Sequence, residues 1–141
     1  MPDLLDFVQR HTLLVAAFFA LLALVVWTEL RRFTKGYQDL RPQEAVRLIN
    51  DDDPLILDVR EANEVAQGKI RGARHIPMSK LASRLAELER ERGRKVLVYC
   101  RSGQRSGHAA GLLKKRGFEE VYNLQGGILA WESDNLPVVK K

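Results

Sequence analysis

A single cysteine, Cys100, opens the segment Cys100-Arg101-Ser102-Gly103-Gln104-Arg105-Ser106, directly after the apolar run Val96-Leu97-Val98-Tyr99. The nucleophilic form of cysteine is the thiolate, which forms readily only where the surroundings favour negative charge. Small and flexible residues let this segment curl so that successive backbone N–H groups point inward, and a helix after it adds its positive end. Arg101 and Arg105 bring two cations. The pattern reads as an anion cradle with an activated thiol at its centre. The plain alternative is an ordinary buried cysteine after a strand, and Gly103 with the two arginines weighs against it. Asp58 and Arg60 follow a second apolar run, Leu55-Ile56-Leu57. They either line the same mouth or pair with other loops to fix its geometry. His75 and His108 read as packing or surface residues.

The elements that position these groups alternate between strand-like and helix-like patterns. Pro42 starts a helix carrying Ala45, Val46, Leu48 and Ile49 that stops near Asn50. Leu55 to Leu57 and Val96 to Tyr99 are short apolar runs suited to strands buried on both faces. Ser79 reads as the cap of a helix bearing Leu81, Leu85 and Leu88, closed by Gly93. A further helix from Ser106 to Arg116, a short strand at Val121-Tyr122 and a last helix from Ile128 to Glu132 complete the series. Strands separated by helices imply an α/β sandwich with a central parallel sheet. In such sheets ligands collect at the carboxyl ends of strands, where Cys100 stands.

The chain has 141 residues, enough for one domain of ordinary size and too few for two. One cysteine forms no internal disulfide, and with three histidines it offers no zinc set; no metal site is expected. The formal charge is +5, but the cations are spread along the chain, interleaved with acids, and lack interleaved aromatics. Nucleic acid is not an expected partner.

The N-terminal composition differs sharply. Thr12 to Thr28 run for 17 residues without a charge, ten of them Leu, Val or Phe. At about 1.5 Å per residue the run covers about 25 Å against a hydrocarbon core of about 30 Å, so its ends must reach the interface. Asp3 and Asp6 in front of it, and no small-residue cleavage site behind, disfavour a cleaved signal peptide. A buried soluble helix would need partners on every side. The expected organisation is a short extracytoplasmic tail (1–11), a transmembrane helix (12–28) in contact with lipid, a basic juxtamembrane linker (29–39), a folded domain (40–138) and a tail (139–141). Arg31, Arg32, Lys35 and Arg41 follow the apolar run, against Arg10 alone in front. This asymmetry places the N-terminus outside and the domain in the cytoplasm, as in a single-pass protein of the plasma (bacterial inner) membrane.

Four separated motifs resemble the rhodanese family of sulfurtransferases, in order along Leu40 to Val138. They are Asp58-Val59-Arg60, the segment Gly68-Lys69-Ile70-Arg71-Gly72-Ala73-Arg74-His75-Ile76-Pro77, the loop from Cys100 to Ser106, and Gly126-Gly127-Ile128-Leu129-Ala130-Trp131. Lys69 replaces the family's usual His, and Ala62 stands where Pro is common. The resemblance implies a rhodanese-like three-layer sandwich. It further implies that Cys100 carries sulfur as a persulfide, taken from a small donor anion such as thiosulfate and passed to a thiophilic acceptor, without a cofactor. The N–H groups from Arg101 to Ser106 (Ser102, Gly103 and Gln104 between them) would hold the anion, with Arg105 the better placed of the two arginines to enter the pocket. A protein partner at the membrane is compatible with the anchor. The competing readings are a non-catalytic membrane adaptor and a cysteine-dependent phosphatase or arsenate reductase, whose loop is one residue longer.

Overall fold

The computed structural model describes residues 2–140. It divides into two compact units, Met1–Lys35 and Gly36–Lys141.

The first unit holds α1 (Pro2–Arg10) and α2 (Thr12–Thr34), separated at His11, whose backbone (φ −122°, ψ 39°) leaves the helical region. The residues read as a tail, 1–11, therefore include a helix. Its Asp6 and Arg10 pair one turn apart at 3.1 Å, as helical neighbours do. No residue of α2 is buried. The helix also continues past Thr28, through residues assigned to the linker. Glu29 and Arg32 pair at 3.6 Å, and Arg31 and Arg32 in the last turn oppose the negative end of the helix dipole. Its 23 residues reach about 34 Å at about 1.5 Å per residue. The helix is long and apolar enough to cross a membrane. Arg31 lies over the Trp27 ring at 4.9 Å, a cation–aromatic pairing of the kind found where one side of a residue is apolar and the other wet.

The second unit contains, in chain order, β1 (Gln38–Leu40), α3 (Pro42–Asp52), β2 (Leu55–Asp58), α4 (Ala62–Ala66), β3 (Arg74–His75), α5 (Met78–Arg84), β4 (Val96–Tyr99), α6 (Gln104–Lys115), β5 (Val121–Leu124) and α7 (Gly127–Ser133). The strands form one parallel sheet in the order β1-β5-β4-β2-β3, so β4 is central. Alternation along the strands sorts the core into two layers. Leu55, Leu57, Val96 and Val98 face one side and pack with Leu81, Leu85, Leu88, Ala109, Ala110 and Leu113. Ile56, Leu97, Tyr99 and Leu124 face the other, with Ala45, Leu48, Ile128 and Trp131. This is the expected three-layer arrangement, helices on both faces of a parallel sheet. Each fully buried Leu or Val contributes about 1.5–3 kcal/mol relative to exposure, which explains why β4, and β2 as far as Leu57, are continuous apolar runs.

Several boundaries differ from the sequence expectation. Ser79 makes no cap: α5 begins at Met78 behind Pro77, and the Leu85 to Glu91 segment tightens into a 3-10 helix. Helix α6 starts at Gln104, ahead of Ser106, because Gly103 adopts a left-handed conformation (φ 101°) that turns the chain into the helix. Strand β1 begins inside the residues assigned to the linker, and β3 forms where the sequence pattern assigns no element.

Candidate active site

Cys100 follows the last residue of β4, the central strand, and α6 begins four residues later. Cys100 is 1% exposed and belongs to the core layer that also holds Ala109, Ala110 and Leu113 of α6. The sulfur is nonetheless surrounded by donors. The Gly103 N–H donates to Sγ at 3.0 Å and the Ser106 hydroxyl at 3.3 Å. Burial raises the thiol pKa, but hydrogen bonds from the Ser106 hydroxyl and from the backbone N–H groups of Ser106, Gly103 and Ser102 outweigh it and hold the pKa below the ordinary value. The loop thus curls around its own first residue. Ser106 is fully buried, whereas Arg101, Ser102 and Gln104 turn to solvent.

Two neighbouring segments hold the loop in place. The N–H groups of Ile128 and Leu129, in the first turn of α7, donate to the carbonyls of Cys100 and Arg101 at 2.9 and 3.2 Å. This approach requires Gly127, which has φ 61° and at which a Cβ atom would collide with the Arg101 carbonyl. On the other side the Asn123 amide donates to the Gly103 carbonyl at 3.2 Å and to Asp39 on β1 at 2.9 Å. Asn123 was not singled out in the sequence, where nothing distinguishes it from any polar residue in a short strand.

Asp58 and Arg60 are buried, 0% and 4% exposed. The Arg60 guanidinium donates to both carboxylate oxygens of Asp58, with Nη2 to Oδ2 at 2.7 Å. It also donates to the carbonyls of Gly68 (2.7 Å) and Glu64 (3.3 Å) and lies over the Tyr99 ring at 5.5 Å. They fix the loops after β2, the pairing role left open by the sequence, and do not open as a substrate-facing pair. A charge left unpartnered there costs about 3–5 kcal/mol. His75 Nε2–H donates to the Arg60 carbonyl at 2.6 Å, and His108 is exposed.

Arg105, expected to reach into the pocket, meets Glu64 of α4, with Nη1 and Nη2 on the two carboxylate oxygens at 2.7 and 2.8 Å. The Arg105 hydrogen bonds hold Glu64 at about 2, well below the usual carboxylate range. Glu64 also caps α4 reciprocally with Glu61. That spacing of three is a readable cap signal, but nothing in it announces a partner 41 residues away.

Residues 41–134 match the model of the rhodanese-like domain. The chain belongs to the rhodanese family. It is 33% identical over 141 residues to the uncharacterized protein YibN of Escherichia coli K12, spanning 99% of both chains, the N-terminal apolar segment included. A protein named sulfurtransferase from Allochromatium vinosum is 42% identical over 93 residues, 66% of this chain and 85% of that one. Among solved structures, a rhodanese-related protein from Thermoplasma volcanium is similar with a TM-score of 0.67 and 32% identity, over 74% of this chain and 100% of the other. The rhodanese resemblance read from four motifs therefore holds, and the family includes members named sulfurtransferase.

Proposed function

We propose that this rhodanese-like protein is a membrane-anchored sulfurtransferase in which Cys100 carries the sulfur. The observation that supports it most is the ring of donors closed on Cys100 Sγ, with Gly103 N at 3.0 Å and Ser106 Oγ at 3.3 Å. Donors set so close around one sulfur stabilise a thiolate and, after transfer, the negative terminal sulfur of a persulfide.

With thiosulfate as donor, the Cys100 thiolate attacks the outer sulfur. A Cys100 S–S bond forms, the S–S bond of thiosulfate breaks with its electron pair, and sulfite leaves. In the second step a thiophilic acceptor attacks the terminal sulfur and regenerates the thiolate. The sequence of steps exchanges charges evenly and requires no cofactor. Arg101 draws anions toward the mouth, and the N–H groups from Arg101 to Ser106 receive them. The loop also suits one sulfur better than a tetrahedral phosphate, because Cys100 and Arg105 enclose only four residues.

Helix α2 serves as the anchor in this reading. The cations Arg31, Arg32, Lys35 and Arg41 behind it support a cytoplasmic domain, where reducing conditions keep an activated thiol in use.

Intact-mass analysis after incubation with excess thiosulfate tests the proposal. The full chain gains about 32 Da, one sulfur atom, and the Cys100→Ser variant does not. Hydrolysis of phosphate esters without this adduct would instead identify a phosphatase, and inertness toward both would leave the adaptor.

A further inference from the structure

The pair between Glu64 and Arg105 changes what the mouth of the site can attract. Arg105 precedes Ser106, whose hydroxyl touches Sγ, and it lies near enough for the Cys100 charge to act on it. Yet both of its terminal nitrogens face carboxylate oxygens of Glu64. Glu64 is itself held firmly. Its carboxylate accepts the Glu61 N–H at 3.1 Å, and its carbonyl accepts from Arg60, which is locked to buried Asp58. The loop thus presents one cation, Arg101, against which no carboxylate is built among the described residues. Beside Arg101 stands Leu129, whose N–H donates to the Arg101 carbonyl at 3.2 Å. Among the described residues of the domain, Leu129 is the large apolar side chain left exposed, at 48%.

Thiosulfate brings two negative charges to a thiolate, so three must be accommodated together. A persulfide anion, R–S–S⁻, brings one. The Cys100 thiolate attacks its outer sulfur, the Cys100 S–S bond forms, the donor S–S bond breaks, and R–S⁻ leaves. Only two negative charges share the site. Like charges close together in a half-buried mouth repel strongly.

We propose that Glu64 sets donor selectivity: by matching Arg105 it disfavours the thiosulfate dianion and reserves Cys100 for singly charged organic persulfides. This rests on the sulfur-transfer reading above. It is tested by single-turnover loading of Cys100 in the detergent-solubilised full chain, with thiosulfate and 2-hydroxyethyl persulfide as probes and intact mass as readout. The wild type loads from the persulfide at least about tenfold faster than from thiosulfate, Glu64→Gln narrows that ratio about fivefold through tighter thiosulfate binding, and Glu64→Asp restores it. A wild type that favours thiosulfate or takes both equally overturns the selectivity proposal without needing any variant. A Glu64→Gln variant that slows both donors in proportion also overturns it, leaving Glu64 as a brace for the loop. Failure of both donors to load Cys100 would instead refute sulfur transfer itself.

Discussion

Around Cys100, burial and hydrogen bonding act in opposite directions, and the direction of the thiol's pKa records which is stronger. Burial disfavours the thiolate; the Ser106 hydroxyl and the N–H groups of Ser106, Gly103 and Ser102 more than offset it. Because an acid with a lowered pKa is charged down to a lower pH, Cys100 stays nucleophilic on the acid side of an ordinary thiol. Ser106→Ala removes one of these donors while leaving the loop backbone intact. Its alkylation by iodoacetamide is expected to shift toward higher pH and to slow about three- to tenfold at neutral pH, the value of one hydrogen bond to a charged atom. An unchanged pH profile would show that the backbone N–H groups act alone.

At the scale of elements, the loop is shaped by what docks against it. The start of α7 clasps the carbonyls of Cys100 and Arg101, and Gly127 permits that contact. Gly127→Ala is expected to lower stability by about 2–3 kcal/mol, since a left-handed backbone and a backbone collision act at one residue. Urea denaturation measures the loss, and loading of Cys100 should fall with it as the loop is displaced. The central part of this arrangement was legible in the sequence. The apolar runs of β2 and β4 have no other place than a buried sheet, and the small residues after Tyr99 have no better use than a tight turn into a helix. Strands β1 and β3 were not legible because three and two residues, partly exposed and without alternation, owe their strand character to pairing with β5 and β2. The Glu64–Arg105 contact was hidden for a related reason: only the assembled sheet brings α4 beside α6.

For the whole molecule, the division between Lys35 and Gly36 separates a unit built on one long apolar helix from a domain with its own two-layered core. The Thermoplasma protein, matched over 100% of its length by 74% of this chain, exemplifies such a domain without a comparable helical extension in the match. Residues 36–141 expressed alone are expected to be soluble and to load sulfur at Cys100. The full chain should remain in the pellet after alkaline carbonate extraction of membranes, and its release into the supernatant would contradict the anchor. Cys100 has a final consequence. The sequence contains one cysteine, so within a chain there is no second thiol onto which a damaged or overloaded sulfur can close. A sulfenic acid formed there cannot close into an internal disulfide, so a thiol that intercepts it before irreversible oxidation must come from outside the chain.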